Sequence, residues 1–205
     1  MRRLFDHYAP QFDSSLAHLQ YRAPDLVADR LAASLAPDGR RAILDAGCGT
    51  GLSAARLKPF AARLVGVDLS AGMLKEAARR GLYDDLVEAE LAAYMAAHPS
   101  SFDVIVCCDT LVYHGRLDDT LAAAAAALTP GGRLLFTLEA LPGDEARPYW
   151  LAPTGRFCHS PDYVRASLRD AGLVDATTEP IVPRLECGEP VQGLLVTARA
   201  RAHAA

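Results

Sequence analysis

Apolar side chains recur at the spacing of an amphipathic helix over the first twenty residues of the chain. A second helical stretch covers residues 24–35, and the turn sequence at residues 37–39 ends it. The pattern therefore predicts two helices ahead of the first strand. The apolar positions of the first helix are Phe5, Tyr8, Phe12, Leu16 and Leu19.

From residue 40 onward, short apolar runs alternate with helical stretches. A continuous, β-branched run such as residues 102–108 is typical of a strand that is buried on both faces of a parallel sheet. Alternation at this spacing predicts right-handed crossovers between parallel strands, which is the α/β, doubly wound, Rossmann-like arrangement. The predicted strands lie at residues 42–45, 63–68, 85–89, 102–108 and 133–139, and the predicted helices between them lie at 53–57, 71–80 and 118–128.

In the last part of the chain, the apolar pattern predicts one more helix, at residues 161–171, and two more strands, at 175–180 and 193–200. Only residues 181–192 separate these strands, which is too short for a helical crossover, so we expect an antiparallel hairpin. The complete prediction is a mostly parallel, seven-stranded sheet with an antiparallel last strand and N-terminal helices.

Length and composition favour one domain over residues 1–205, with residues 1–39 as a helical N-terminal segment and residues 40–205 as the Rossmann-like core. The net charge of -4 provides no basic field, so neither nucleic acid nor an anionic membrane is an expected partner. No apolar run reaches the length of about 18 residues that a transmembrane helix needs. The five cysteines are odd in number and form no CxxC pair, which indicates free thiols and neither a disulfide frame nor a zinc site. We therefore expect a cytoplasmic monomer or homodimer that acts on a small molecule.

A glycine-rich loop, Asp45-Ala46-Gly47-Cys48-Gly49-Thr50-Gly51, follows the first predicted strand of the core. Its alternating glycines allow a tight turn and bring backbone N–H groups close to a ligand at the carboxyl end of the strand. A dinucleotide loop has the spacing GxGxxG, whereas this loop has GxGxG with an acid, Asp45, two residues before the first glycine. A carboxylate at that place would repel a pyrophosphate and suits a cationic group instead.

A second acid, Asp68, ends the second predicted strand, 17 residues after Gly51. A carboxylate at that place can accept hydrogen bonds from both hydroxyls of a ribose. Together with the glycine loop, Asp68 indicates a site for a nucleoside that carries a positive group and no phosphates.

Four segments resemble the motifs of the class I S-adenosylmethionine-dependent methyltransferases. ILDAGCGTG resembles the first motif and LVGVDLSAGML the second, while FDVIVCCDTLVYHG and LTPGGRLLFTLE resemble the segments at the fourth and fifth strands. The opening and closing segments further resemble a bacterial subgroup of methyltransferases, some of which carry tetratricopeptide repeats that this sequence does not contain. The resemblance implies a Rossmann-like fold, S-adenosylmethionine as the cofactor and methyl transfer as the activity, and it leaves the acceptor open.

The resemblance also implies roles for individual residues. Asp45 would lie near the amino group of the methionine part of the cofactor, Asp68 would hold the ribose hydroxyls, and Glu90 would face the adenine amino group. The N-terminal helix with Tyr8 is either a lid over the cofactor or a plain amphipathic helix packed on the sheet. The expected cofactor-binding residues are Tyr8, Asp45, Gly47, Cys48, Gly49, Asp68, Leu69, Met73, Glu90, Leu91 and Asp109.

Histidine is the expected general base if the acceptor loses a proton during methyl transfer. His114, five residues after Asp109, is the candidate catalytic residue and His159 is the second choice; a structural role is the alternative for both.

The loop at residues 141–157 contains candidate acceptor-binding residues. Its aromatic side chains either line the acceptor pocket or cover an edge of the sheet, and the nearby arginines either meet an anionic substrate or lie on a solvated face. The aromatic residues are Tyr149, Trp150 and Phe157, and the arginines are Arg147, Arg156 and Arg165.

Two other functions compete with methyl transfer. A nicotinamide-dependent oxidoreductase is one, because Asp68 also suits the ribose of NAD, although the GxGxG spacing and Asp45 argue against it. The other is a binding or regulatory protein that keeps the methyltransferase fold without catalysis, since a fold alone does not fix a function.

Overall fold

The computed structural model describes residues 2–143 and 147–202, and within these residues the chain forms seven α-helices and eleven strands. The helices are α1 (Arg2–His18), α2 (Ala23–Ala32), α3 (Ala54–Leu57), α4 (Ala71–Arg79), α5 (Leu91–Ala96), α6 (Asp118–Ala127) and α7 (Pro161–Asp170). The strands are β1 (Arg41–Ala46), β2 (Ala61–Asp68), β3 (Asp85–Glu88), β4 (Phe102–Cys107), β5 (Leu128–Ala140), β6 (Tyr149–Leu151), β7 (Phe157–His159), β8 (Val174–Ile181), β9 (Leu185–Glu186), β10 (Glu189–Pro190) and β11 (Gly193–Arg199).

The main sheet has the strand order β3-β2-β1-β4-β5-β11-β8. Strands β3, β2, β1, β4 and β5 run parallel to one another, whereas β11 is antiparallel to both β5 and β8. The seven strands on this path are the seven that the hydrophobic pattern predicts. The mostly parallel, Rossmann-like sheet with an antiparallel last strand is therefore confirmed.

Alternate side chains of the central strands enter two separate apolar layers, as the period of a strand requires. Ile43 of β1 packs with α2 and α3 on one face, while Leu44 packs with α5, α6 and α7 on the other. Both side chains are fully buried. This two-sided burial explains why the strands read as continuous apolar runs in the sequence.

Two short strands within the 141–157 loop, β6 and β7, were not predicted, and they bring the main sheet to nine strands within the described residues. β7 pairs in parallel with the end of β5, and β6 pairs with β7 in the antiparallel sense. Each has three residues, which is too few to show a period in the sequence. Residues 144–146 of this loop lie outside the described residues.

The carboxyl ends of β1, β2 and β4 lie at one edge of the sheet because these strands are parallel neighbours. The glycine loop, Asp68 and Asp109 follow these ends, so the fold places the candidate site at that edge. No helix in the described part of the chain has both the length and the apolar character that a membrane crossing needs.

Candidate active site

A cavity of about 750 Å³ opens at the carboxyl edge of the sheet, beneath α1. Its size lies within the range of about 300–1,000 Å³ that is usual for small-molecule sites. Of the expected cofactor-binding residues, those that line the cavity are Tyr8, Gly47, Cys48, Gly49, Asp68, Leu69, Met73, Glu90, Leu91 and Asp109, and His114 lines it as well. Cofactor contact by these residues stays a prediction.

The glycine loop is fixed between β2 and the segment that follows β4. The backbone N–H groups of Gly47 and Cys48 donate to the carbonyl oxygen of Val67 at 2.7 and 3.0 Å. Thr110 Oγ1 donates to the carbonyl oxygen of Gly47 at 3.1 Å. Gly47 has φ = 78°, and a Cβ atom at this position would lie 2.2 Å from Thr110 Oγ1. The loop therefore requires glycine both for its backbone conformation and for space.

Asp68 connects the end of β2 to the glycine loop. Its Oδ2 accepts from the N–H of Gly49 at 2.9 Å, and its Oδ1 accepts from the N–H of Ser70 at 2.8 Å. Burial raises the pKa of Asp68, while these backbone hydrogen bonds act to lower it. Each carboxylate oxygen can accept a second hydrogen bond, so Asp68 can position the loop and still receive donors from a ligand in the cavity.

Asp45 lies behind the glycine loop and does not line the cavity within the described part of the chain. It is 1% exposed, and its Oδ2 accepts from the hydroxyl of Tyr83 at 2.6 Å. Its Oδ1 is buried and has no hydrogen-bond partner among the described residues. Burial raises the pKa of Asp45 to about 7; the hydrogen bond from Tyr83 opposes this rise and the charge of Asp68 adds to it. A buried carboxylate without a counter-charge fits a cationic ligand on the other side of the loop.

Glu90, which is expected to face the adenine amino group, also has a structural role. It caps the N-terminus of α5, where its two carboxylate oxygens accept from the N–H groups of Ala92 at 2.9 Å and Ala93 at 2.7 Å. The side chain is exposed to the cavity, so the predicted contact with a ligand and the cap are compatible.

The N-terminal helix α1 lies across the cavity and packs against α4. Asp6 Oδ1 accepts from Ser70 Oγ at 2.7 Å and from the N–H of Gly72 at 3.1 Å, which ties one part of α1 to the start of α4. Asp13 accepts from Thr50 Oγ1 at 2.5 Å and also binds Arg80, which ties a second part to the glycine loop. Only Ala9 of α1 is buried among the described residues. These contacts differ from those of an amphipathic helix that packs its apolar face on a sheet.

A network of buried and half-buried charges lies at the cavity wall, and the sequence did not reveal it. Arg184 is 4% exposed and lies between three carboxylates. Its Nη1 donates to Asp109 at 2.7 Å, its Nε donates to Glu186 at 2.8 Å, and its Nη2 donates to Glu139. Arg156 binds the same Glu139 and Glu186. We refer to Asp109, Glu139, Arg156, Arg184 and Glu186 as the charge cluster.

Asp109 is held in an uncommon backbone conformation at the start of this cluster. Its φ is 48°, its N–H donates to Thr137 Oγ1 at 2.8 Å, and its Oδ1 accepts from the same hydroxyl at 2.6 Å. Burial raises the pKa of Asp109, and the Arg184 guanidinium acts to lower it. Strained polar residues of this kind often occur at functional sites.

Two further polar side chains line the cavity, Tyr21 near the charge cluster and His114 within the range of the charge of Glu90. Burial holds the pKa of Tyr21 well above its ordinary value, and the negative charge of Asp109 adds to this rise. His114 lies 3.4 Å from Thr120 Oγ1 through Nδ1, and burial lowers its pKa, which favours the neutral imidazole. Tyr21 was not a candidate because its position follows from the turn between α1 and α2 and from no local motif.

His159 does not line the cavity within the described residues, so it is not placed to act on an acceptor there. Its side chain is fully buried, its Nε2 lies 3.0 Å from the carbonyl oxygen of Gly115, and its ring stacks on Tyr163. These contacts favour a structural role for His159 over a role as general base.

The aromatic residues of the 141–157 loop lie in the short strands β6 and β7. Tyr149 packs edge-on against Phe157, and a Cβ atom added to Gly115 would touch both rings at 2.9 Å. Neither these two residues nor Trp150 lines the cavity in the described part of the chain. Arg156 is part of the charge cluster, whereas Arg165 pairs with Asp162 on an exposed face of α7.

Comparison with known proteins shows which proteins this chain resembles. Residues 43–132 match the model of a methyltransferase domain. The chain is 37% identical over 136 residues to methyltransferase-like protein 27 of Homo sapiens, covering 65% of this chain and 55% of that protein. Residues 43–132 therefore resemble a methyltransferase domain, and the resemblance to the class I S-adenosylmethionine-dependent methyltransferases is confirmed. It also is 36% identical over 127 residues to a ubiquinone biosynthesis O-methyltransferase of Thiobacillus denitrificans, covering 58% of this chain and 52% of that enzyme.

A solved structure supports the Rossmann-like fold of this chain. A SAM-dependent methyltransferase from Thermotoga maritima superposes with a TM-score of 0.71 at 16% identity, covering 98% of this chain and 100% of that one. The chain spans about half the length of the first two curated relatives that it matches, at 55% and 52% of their lengths. S-adenosylmethionine is the cofactor of this family.

Proposed function

We propose that the chain transfers a methyl group from S-adenosylmethionine to the oxygen or nitrogen of a small-molecule acceptor. The observation that carries the proposal is the cavity in which the glycine loop and Asp68 meet the apolar side chains of Leu69 and Met73, with the uncompensated carboxylate of Asp45 behind it. When bound, the cofactor supplies an electrophilic methyl group on a positively charged sulfur. The residues fit this cofactor because they offer a ribose acceptor, an apolar surface for adenine and a negative charge for the cation.

The proposed binding roles follow from the position of each side chain in the cavity. Asp68 accepts the ribose hydroxyls with the lone pairs that its backbone donors leave free. Met73 is almost fully buried, whereas Leu69 is 44% exposed. Together they provide an apolar surface on which the adenine is proposed to pack. Asp45 acts through the loop by its charge, because it does not reach the cavity wall in the described residues.

We place the acceptor at the charge cluster. Its three carboxylates and two guanidiniums leave one net negative charge, which favours an acceptor that donates hydrogen bonds or carries a positive group. Positioning of the nucleophile supplies much of the rate in a displacement reaction, and Tyr21 and Asp109 are placed to orient it. His114 is the proposed general base, since its lowered pKa keeps the imidazole neutral and able to accept a proton near pH 7.

The relatives leave the acceptor atom open. The Thiobacillus relative is named for O-methylation in ubiquinone biosynthesis, whereas the Thermotoga structure is described as a possible histamine N-methyltransferase.

Free thiols at all five cysteines support the proposal that the protein works in the reducing cytoplasm. An NAD-dependent activity has less support, because the buried charge of Asp45 opposes a pyrophosphate in the adjacent loop.

Thermal unfolding in the presence of S-adenosylmethionine, S-adenosylhomocysteine or NAD tests the cofactor. A ligand at about 100 times its dissociation constant adds roughly 2.7 kcal/mol, which is on the order of 5–10 °C for a chain of this size. We expect a shift of that size with the first two ligands only. A shift with NAD alone would support the oxidoreductase, and a shift without methyl transfer to any acceptor of a broad amine and phenol panel would support a binding protein.

The variant His114→Gln separates binding from chemistry in the same assay. Because His114 is proposed to act on the acceptor, the thermal shift with S-adenosylmethionine is expected to stay unchanged while kcat falls by about 10²-fold or more. Asp68→Asn is the contrasting variant. Because Asp68 is proposed to bind the ribose of the cofactor, this variant should reduce the thermal shift with S-adenosylmethionine. An unchanged kcat in His114→Gln would exclude the histidine as the base.

The affinity for S-adenosylmethionine is expected to depend on the protonation of Asp45. Its pKa of about 7 in the free protein means that the carboxylate is mostly neutral at pH 6 and mostly charged at pH 8. A bound cation favours the charged form and releases the proton, so the affinity rises with pH by about tenfold between pH 6 and pH 8. Calorimetric titrations over this range should show the slope in the natural protein and a flat profile in Asp45→Asn. An equal slope in both proteins would assign the titration to another group.

Helix α1 is proposed to act as a lid over the bound cofactor. Asp13 lies at the surface and connects α1 to Thr50 and Arg80, so Asp13→Ala should free α1 with a change of less than about 1 kcal/mol in the free energy of unfolding. We expect the dissociation constant for S-adenosylmethionine to rise about three- to tenfold and amide exchange in α1 to quicken. The control is Asp162→Ala, which removes an exposed ion pair on α7. Equal affinities in the two variants would contradict the lid.

A further inference from the structure

Three arginines meet at the amino-terminal edge of the sheet, opposite the active-site cavity. Arg41 begins β1, Arg133 lies in β5 and Arg199 ends β11. Because β11 runs antiparallel to β5, its carboxyl end reaches the edge at which β1 begins. Methyl transfer uses none of the three, and we refer to them as the arginine cluster.

The members of the arginine cluster repel one another. Arg133 and Arg199 occupy directly opposite positions in the ladder between β5 and β11, where like charges destabilise a sheet. Burial lowers the pKa of Arg133, and the charges of Arg199 and Arg41 lower it further. Arg133 donates to the carbonyl oxygen of Ser34 at 3.0 Å, which satisfies a hydrogen bond and leaves the positive charge uncompensated.

The nearest carboxylates compensate the other two arginines only weakly. Arg41 Nη2 is 3.7 Å from Asp38, and Arg199 Nη1 is 3.8 Å from Asp175, and both distances exceed a hydrogen bond. The Nε atoms of Arg41 and Arg199 are buried and have no hydrogen-bond partner among the described residues. Buried donors of this kind are costly unless a partner occupies the adjacent space.

A cavity of about 240 Å³ opens beside these donors. Arg41, Arg133, Thr129 and the glycine turn at residues 130–132 line it. Asp103 also lines it and contributes one negative charge; its two carboxylate oxygens accept from the N–H of Ala42 at 2.9 Å and from Thr129 Oγ1 at 3.0 Å. The three arginines outnumber this one carboxylate, so the surroundings of the cavity keep a net positive charge.

Arg199 does not line this cavity within the described residues, but it lies beside the glycine turn that does. A Cβ atom added to Gly131 would lie 3.7 Å from Arg199 Nη2, so the guanidinium stands directly over the turn. Arg41 and Arg133 line the cavity, and Arg199 adds a third positive charge next to its wall.

We propose that the arginine cluster is a second binding site, which takes the phosphate group of a small molecule or free phosphate. Guanidinium forks match phosphate oxygens in bidentate geometry, and a bound dianion relieves the repulsion within the cluster. The guanidinium groups of Arg41 and Arg133 line the cavity and can donate to the phosphate oxygens there. The site is separate from the cofactor cavity, so the two ligands bind independently.

Isothermal titration of the full chain with pyrophosphate, inorganic phosphate and ribose 5-phosphate, at constant ionic strength, tests this site. We expect saturable binding that saturating S-adenosylhomocysteine leaves unchanged. Tighter binding of ribose 5-phosphate than of inorganic phosphate would assign the site to a phosphorylated metabolite, and equal binding would assign it to free phosphate. Competition with S-adenosylhomocysteine, or the absence of saturable binding, would overturn the proposal.

Two variants make the test specific. Arg199→Gln and Arg41→Gln are each expected to weaken pyrophosphate binding at least tenfold, while the control Arg63→Gln, which removes an exposed pair with Asp85, leaves it unchanged. Thermal unfolding without anion shows that each variant is folded, and relief of repulsion should leave the Tm of Arg199→Gln equal to or above that of the natural protein. Equal pyrophosphate affinity in all three variants would overturn the proposal.

Discussion

Replacing Arg184 with methionine is expected to lower the free energy of unfolding by about 3–5 kcal/mol, because it leaves buried carboxylates without their counter-charge. Arg184 is 4% exposed and binds Asp109, Glu139 and Glu186 at once. Arg156 can still compensate Glu139 and Glu186, so Asp109 carries the largest penalty. Methionine keeps an unbranched apolar chain of about the length of the arginine's aliphatic part and removes the guanidinium group, and urea unfolding at pH 8 measures the loss.

The pH dependence of this loss identifies its cause. Without Arg184, the pKa of Asp109 rises further in the folded state than in the natural protein, since burial already raises it and its main opposing charge is gone. A group with a raised folded pKa contributes stability that is lost as the pH rises through that pKa. The difference between Arg184→Met and the natural protein should therefore shrink at pH 5.

A matched control separates burial from charge. Arg165→Met removes an arginine of α7 whose partner, Asp162, is exposed, and it should cost less than about 1 kcal/mol. A loss in Arg184→Met that equals this control, or that stays constant between pH 5 and pH 8, would show that the charge cluster is not a buried ion network.

The same cluster shows what the sequence can predict about this protein and what it cannot. The strands, the glycine loop and Asp68 are predictable because each depends on neighbours in the chain, namely an apolar run, a glycine spacing or the end of a strand. Arg184 and Tyr21 belong to the cavity through contacts between distant segments: Leu185 donates its N–H to the carbonyl oxygen of Leu19 at 2.7 Å, and Arg22 donates to that of Pro183 at 2.7 Å. No local pattern encodes such contacts.

The two histidine candidates illustrate this limit. Each lies in a segment that the sequence predicts after a strand, His114 after the fourth and His159 after the fifth, so their sequence positions support the same hypothesis. The structure separates them, because His114 faces the cavity, whereas His159 is enclosed by the packing of β6 and β7 near Gly115. Those strands have three residues each and gave no signal in the sequence. A side chain's burial depends on elements that only the assembled fold contains.

Replacing Gly47 with alanine is expected to weaken S-adenosylmethionine binding by at least 100-fold and to lower the free energy of unfolding by about 2–5 kcal/mol. The added Cβ would lie 2.2 Å from Thr110 Oγ1 and 2.7 Å from Thr110 Cβ, so rotation of the threonine cannot relieve the clash. The loop or the segment after β4 must move, and the hydrogen bond from Thr110 to Gly47 is lost. Both segments line the cofactor cavity.

Gly39→Ala is the control that isolates this clash from backbone strain. Gly39 has φ = 68°, close to the 78° of Gly47, but a Cβ at Gly39 meets nothing within 4 Å. Gly39→Ala should therefore lower the free energy of unfolding by about 1–2 kcal/mol, which is the cost of a left-handed alanine, and leave the cofactor affinity unchanged. Calorimetric titration and urea unfolding of both variants measure the two quantities. Similar results for Gly47→Ala and Gly39→Ala would mean that the glycine loop can move away from Thr110 without loss of the site, which would remove the steric basis for the cofactor position proposed for it.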